Sequence, residues 1–268
     1  MPDTEVLTPA QLQQFNDDGY LIFESLISGS RLEHYVSVFD ELVEQGRSLT
    51  EPGPHFSLEL QADGTPRAGL LHKVQGVCVA EPRVLELARE PAIVDRVVPL
   101  VGNSQVDVFG TKFFPKLAGG GTSTHWHQDN YYFGTTCTRV LSCGIYLQDS
   151  DLGNGCLRIV PGSHRDGEIV AHRSEPGMHG SWTDVDEEQA LNVEVPGGSV
   201  VLFSANLLHG TADNDDPQRT RYSTAWHYVP RDVELERFPR ASYDDLFDVS
   251  PSTAVGSTIA GPVHEADL

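Results

Sequence analysis

Long apolar runs are missing from this 268-residue chain, and positive charge is scarce: 18 Lys and Arg stand against 39 Asp and Glu, a formal net charge of −21. A bilayer-crossing helix needs about 20 consecutive apolar residues, so no membrane span is expected. A negative surface repels other anions over about 8–10 Å, which disfavours nucleic acid, anionic membrane surfaces and CoA-type polyphosphates as partners. Solubility is the plain reading of this charge, and steering of a small substrate of cationic or polar character is the sharper one. The four cysteines (Cys78, Cys137, Cys143, Cys156) make no C-x-x-C pair and read as reduced, partly buried thiols. The stretch MPDTEVLTPAQLQQF has neither the basic nor the apolar region of a secretory signal, so the chain reads as cytoplasmic. G-x-S-x-G, H-E-x-x-H, P-loop and complete G-x-G-x-x-G patterns are all absent, which removes the commonest hydrolase, zincin and nucleotide-binding readings.

What is present is an ordinary soluble composition, 39% hydrophobic and 21% charged, over a length that fills one domain, 1–268. Helical patterns lie in the first third, about 1–104. Thr8, Pro9 and Gln11 form a helix start, with a capping hydroxyl, proline at the first turn and glutamine three residues on. Leu32, Tyr35, Val36, Phe39, Leu42 and Val43 follow helical spacing, and Gly46 is expected to close that helix. Residues 47–68, rich in Pro, Gly and charge, read as a long loop; a further helical piece over about 82–101 is broken at Pro91. From about 105 to 230 short β-rich runs alternate with Gly, Pro, Asn and Asp, which predicts an antiparallel sandwich or jelly roll. A polar insertion at 165–190 interrupts this core, and 231–268 reads as an irregular, surface-wrapping tail.

Within the β region, STHWHQDNYYF (123–133) places His125, His127 and Asp129 at alternate positions, hence on one face of a strand, with Trp126 and Gln128 on the other. His209 ends the run SVVLFSANLLHG. Two histidines and a carboxylate from different strands form a facial set for a non-haem metal with open positions. H-x-D alone is a weak signal, and a polar strand end competes with it. Downstream, Arg219 and Arg221 share a face if Tyr222, Thr224 and Trp226 point the other way. A buried arginine needs an anion, and a carboxylate matches its fork. A surface ion pair with Asp213, Asp215 or Asp216 competes for one of the two. Of the remaining candidates, His125 reads as a substrate neighbour or packing residue, and Tyr131, Tyr132 and Phe133 read as core before substrate platform. His164 reads as a turn-fixing residue, Asn154 and Gly155 as a structural turn, and His172 and His179 as exposed. The acidic runs 184–188 and 213–216 read as solvated faces.

HWHQDNYYF, GNGCLRIVPGSH, VPGGSVVLFSANLLHGTA and RYSTAWHY, in that order over roughly 73–228, resemble the phytanoyl-CoA dioxygenase-like family of Fe(II)/2-oxoglutarate oxygenases. The resemblance implies a double-stranded β-helix, a cupin-like jelly roll flanked by helices. It implies Fe(II) held by His127, Asp129 and His209, with 2-oxoglutarate and O2 as cosubstrates. Arg221, in R-x-x-x-x-x-H-[FY], looks like the residue holding the far carboxylate of 2-oxoglutarate, Thr211 after HG its hydroxyl partner, and Lys73 in KVQ a further contact. Arg219 is the runner-up to Arg221. At Gly144 the family often has a tryptophan, and its absence implies a larger pocket. Asp129 is retained where related halogenases carry a small residue, which implies hydroxylation of an unactivated C–H bond of a small metabolite. The same chemistry can yield epimerisation, cyclisation or desaturation. A cupin-like protein holding another metal, and an idle 2-oxoglutarate sensor, remain as readings from other classes.

Overall fold

The computed structural model describes residues 6–174 and 180–251. In chain order its elements are α1 (Pro9–Asp18), β1 (Tyr20–Phe23), α2 (Gly29–Arg47), β2 (Phe56–Leu60), β3 (Pro66–Gln75), α3 (Val77–Ala80), α4 (Arg83–Ala88), α5 (Pro91–Val101), β4 (Val106–Phe114), β5 (Thr124–His127), α6 (Asp129–Phe133), β6 (Leu141–Tyr146), β7 (Leu157–Ile159), β8 (Leu191–Val193), β9 (Ser199–Ser204), β10 (His209–Thr211), β11 (Ser223–Pro230) and β12 (Leu246–Asp248). An eight-stranded antiparallel sheet runs β1-β9-β6-β11-β4-β3-β2, with β12 added beside β4; a four-stranded sheet runs β5-β10-β7-β8. This is the jelly roll anticipated from the spacing of strands and turns. None of the described helices is long and apolar enough to cross a membrane.

Both faces of the large sheet are covered, which is why its central strands read as continuous apolar runs. One face carries the N-terminal helices through a cluster including Phe39, Leu42, Phe113, Leu141, Leu202 and Trp226. On the other face Tyr146, Val201 and Phe203 pack with Leu157, Ile159 and Val193 of the small sheet. The cap of α1 forms as its sequence requires: the Thr8 hydroxyl accepts from Gln11 N (3.2 Å) and Thr8 N donates to Gln11 Oε1 (2.9 Å). Such a cap contributes about 1 kcal/mol.

Four expectations need correction. Gly46 does not end α2 but lies buried within it, because a Cβ there would stand 2.9 Å from Leu71 Cβ; the glycine lets the helix seat on β3. Residues 47–68 are not a loop throughout: β2 and β3 form a hairpin around Asp63-Gly64, with Thr65 N donating to Asp63 Oδ1 (3.0 Å). The prolines and charges before Phe56 hid it. The run SVVLFSANLLHG is two strands, because the chain crosses between the sheets after Ser204. Within the tail, β12 pairs with β4, and the buried Asp245 carboxylate accepts from Thr111 N and Thr111 Oγ1, both at 2.6 Å.

Candidate active site

His127 ends β5 and His209 opens β10, and the two residues face each other across adjacent strands. Asp129 is not in the strand. Gln128 remains extended (φ −120°, ψ 130°), so the alternation predicted for a strand persists one step further and Asp129 starts α6 on the His127 side. Its carboxylate lies 3.5 Å from His127 Nε2 through Oδ1 and 3.5 Å from His209 Nε2 through Oδ2. All three residues are buried, and their ligand atoms lie within 4.8 Å of one another.

The donor set fits a divalent metal. His127 Nδ1 stands 2.7 Å from the carbonyl of His125, and His209 Nδ1 stands 2.9 Å from that of Leu207. Each Nδ1–H is donated to the backbone two residues upstream, which leaves each Nε2 lone pair directed at the shared point. Burial, with His127 nearby, pushes the His209 imidazole down to about 4, so it is the neutral base that a metal requires. Burial alone would raise the Asp129 carboxyl, but His227, His209 and His127 hold it well below the carboxylate range. Ligands at about 2.0–2.2 Å on adjacent positions of one ion stand about 3 Å apart, close to the separations found.

A second chain of contacts steadies the carboxylate. Ser142 Oγ donates to Asp129 Oδ2 (2.5 Å), and His227 Nδ1 lies 3.2 Å from Ser142 Oγ. Burial drives the His227 imidazole down to about 3, so it is neutral and its Nδ1–H can donate to Ser142. The sequence reading missed both residues; the signal was their place in alternate positions of strands whose other face packs on helices.

The triad opens into a cavity of about 460 Å³ whose wall includes Lys73, Lys112, Thr211, Arg221 and Tyr146. Arg221 is 1% exposed, with its guanidinium 5.6 Å from the Tyr146 ring. Nη1 donates to Ser223 Oγ, whereas buried Nε has no hydrogen-bond partner, and among the described residues no carboxylate pairs with the group. Arg219 does not share its environment. It pairs on the surface with Asp151 and Asp216, the latter at 2.6 Å, whereas Arg221 lies in the cavity wall. The face argument for the pair fails because Tyr222, Thr224 and Trp226 are buried as well. Thr211 Oγ1 accepts from Thr124 N (2.9 Å) and faces the cavity with its proton still available.

His127, Asp129, Ser142, His209, Thr211 and Arg221 lie within a stretch, 15–222, that matches the family profile described as phytanoyl-CoA dioxygenase. The chain belongs to the phytanoyl-CoA dioxygenase family. An ectoine dioxygenase of Bordetella bronchiseptica is 26% identical over 238 residues, covering 80% of this chain and 72% of that protein. Among solved structures, EctD from S. alaskensis with bound Fe superposes with a TM-score of 0.71 at 21% identity, covering 88% of this chain and 82% of that one. The epimerase SnoN from nogalamycin biosynthesis does so with a TM-score of 0.63 at 19% identity, covering 96% of each chain.

Against the usual pattern of the phytanoyl-CoA dioxygenase family, Gly144 does not simply enlarge the cavity. A Cβ there would lie 3.3 Å from the Tyr146 ring and hydroxyl, so the tyrosine two residues on occupies that space. Other candidates sort by contact. His125 is exposed at the rim, and its carbonyl rather than its ring serves His127. The Tyr132 ring lies 5.7 Å from that of His127, and its hydroxyl exchanges hydrogen bonds with Ser181 (2.7 and 3.0 Å). Phe133 is core. His172, expected at the surface, is tied down: Nε2 accepts from Gln128 N (3.0 Å) and the ring stacks on Tyr131 at 4.1 Å. The insertion therefore folds back onto the ligand turn; His179 lies outside the described residues. His164 packs on Gly19 after α1, and the Asn154 side chain closes its turn through Asp149 O and Asp151 N (both 2.8 Å), as expected. At Gly155 (φ 80°) a Cβ would meet Ala212 O at 2.7 Å, so this turn can lie against the strand of His209 only with glycine. The acidic runs are not merely solvated, since Asp213 accepts from Ser123 N and Glu187 from Trp126 Nε1.

Proposed function

We propose that the chain, as one oxygenase domain, hydroxylates an unactivated C–H bond of a small metabolite, with His127, Asp129 and His209 as iron ligands. Overall, R–H, 2-oxoglutarate and O2 become R–OH, succinate and CO2. Bound Fe(II), with 2-oxoglutarate and O2, supplies the oxidative decarboxylation and the oxidising equivalent. The observation that carries the reading is a metal-competent triad sharing one cavity with a buried arginine that lacks an anion. Arg221 supplies a fork for the C5 carboxylate, with Nε still unsatisfied, and Thr211 supplies a hydroxyl proton to the same group. Ser142 and His227 fix the Asp129 carboxylate. Tyr132 and Phe203 present ring surface beside the histidines and limit water at the reacting centre. The free, mostly buried thiols support a reducing, cytoplasmic setting.

The test is anaerobic. Fe(II) followed by 2-oxoglutarate should give the weak visible charge-transfer band of a chelated keto acid. The band should vanish in His209→Ala and need more 2-oxoglutarate in Arg221→Ala. No band, together with tight Zn or Mn binding, would transfer the chain to the cupin-like reading. Cosubstrate binding without succinate formation once substrate is found would make it a sensor. Product analysis separates hydroxylation from epimerisation, cyclisation and desaturation.

A further inference from the structure

The family profile ends at residue 222, and residues 231–251 lie beyond it. This strap nevertheless helps to build the cavity, since Phe238 and Tyr243 stand in its wall. Both ends of the strap are fastened. Arg237 N donates to Phe133 O (3.3 Å) and its Nη1 to Tyr131 O (3.0 Å), which ties it to α6, while Asp245 holds Thr111 of β4. Between these points the Phe238 ring meets Phe133 at 5.4 Å and Tyr243 at 4.9 Å, edge to face in both cases. Phe133 in turn meets His227 at 4.6 Å. The aromatic row thus starts beside the residues that steady Asp129.

Strand register separates this row from the cations. β3 pairs with β4 at Lys112 and Phe113, whereas β12 pairs with it at Asp107, Val108 and Phe109. Phe109 is also the partner of His227, so the strap joins the sheet level with the support of the triad. Lys73 is level with Phe114 and Ser223, and the Ser223 hydroxyl meets Arg221. In the reading above, on which this inference rests, that cationic end takes 2-oxoglutarate and the strap end is left to the substrate. No charged side chain of the strap lines the cavity. Among the described residues the one carboxylate in the wall is Asp129, a metal ligand in that reading, so a substrate ammonium would find no counter-ion. What the strap does present is the Tyr243 hydroxyl, which forms no hydrogen bond among the described residues. Burial, with Asp245 and Asp244 nearby, raises this phenol, so the hydroxyl keeps its proton and can donate. On the other flank the Tyr132 hydroxyl is already committed to Ser181.

We propose that the substrate is a neutral, largely apolar ring compound bearing a hydroxyl or carbonyl oxygen, with its ring against Phe238 and Tyr243 and its oxygen held by the Tyr243 hydroxyl. This sets the steering reading of the surface charge aside, because a counter-ion acts at contact distance whereas surface charge acts through solvent. The segment beyond the family profile then selects the substrate, and the segment within it holds metal and cosubstrate.

The experiment uses four probes on one frame: 2-naphthylmethanol, 2-methylnaphthalene, 2-naphthoate and 2-naphthylmethylamine. Equilibrium dialysis measures their binding to the anaerobic Fe(II)–2-oxoglutarate protein and, separately, to the metal-free protein. In the loaded protein the alcohol should bind about tenfold or more tighter than the carboxylate or the amine, whose charges would be buried unpaired. Tyr243→Phe should weaken the alcohol about 2–10-fold, the value of one hydrogen bond, and leave 2-methylnaphthalene unaltered. Phe238→Leu should weaken both. Far-ultraviolet circular dichroism and the 2-oxoglutarate needed for half the visible band should stay as in the wild type for both variants. Tightest binding of the amine or the carboxylate, an equal affinity for all four probes, or a Tyr243→Phe variant that binds the alcohol as the wild type does would overturn the proposal. A missing visible band with Tyr243-dependent binding of the alcohol intact in the metal-free protein would overturn the oxygenase reading and leave the ring site standing.

Discussion

The two sheets contribute different chemistry to one cavity. The small sheet brings the metal-binding groups, His127 and His209, on two short facing strands, with Asp129 one step beyond. The large sheet brings charge: Lys73 and Lys112 from its strands, Arg221 just ahead of β11, and the Ser142–His227 pair that steadies Asp129. The division follows from size. A narrow sheet of short strands can converge a few ligands on a point, whereas a wide sheet buried on both faces can space cations at strand intervals of about 4.8 Å and hold each against low-dielectric packing. The metal-competent donors thus come mainly from one sheet and the cationic groups mainly from the other.

Substitutions that break this division should rank by sheet. Asp129→Ala removes a ligand and should reduce succinate formation to background while circular dichroism stays native; retained turnover would count heavily against the assignment. Arg221→Ala should leave the triad able to bind metal but raise the 2-oxoglutarate requirement about 30-fold or more, as loss of one partner of a buried charge pair does, with Arg221→Lys recovering only part. Ser142→Ala crosses the division, since a large-sheet residue supports a small-sheet ligand; metal affinity measured by competition with a chelator should fall about 10–100-fold. A milder probe is pH. Burial, with Lys112 adjacent, pushes the Lys73 ammonium down to about 8. It is charged below that value, so if Lys73 contacts 2-oxoglutarate the cosubstrate requirement should rise as pH rises through it, and Lys73→Met should flatten the profile. Arg219→Ala, on the surface, should leave the cosubstrate requirement unchanged.

The small-sheet half of the site was legible in the sequence because its signals are local. His127 and Asp129 are two residues apart on an extended stretch, and the HG of His209 follows directly on a long apolar run. Arg221 was singled out by its resemblance to the family's R-x-x-x-x-x-H-[FY] pattern, seven residues before Tyr228. Lys112, Ser142 and His227 of the large sheet were not legible, because their place depends on register between strands far apart in sequence: Lys112 meets Ala225 and Gly144 only after three strands have aligned. An isolated lysine in the buried run VFGTKFF was the available hint. The β2–β3 hairpin was lost to the weight of Pro, Gly and charge in its flanks, and Gly46 was misread because a helix-closing glycine and a close-packing glycine look identical without a partner surface.

The direct pairing of His209 with His127 has a further consequence. β5 and β10 have only four and three residues, so little backbone hydrogen bonding ties them together. A metal ion gripping both histidines and Asp129 acts as a rivet across this seam, and by mass action it adds about 2.7 kcal/mol of folding stability when free metal is a hundredfold above its dissociation constant. Without a metal ion the seam would lose this fastening, and a protease acting on opened copies would clear the metal-free molecules ahead of the loaded ones.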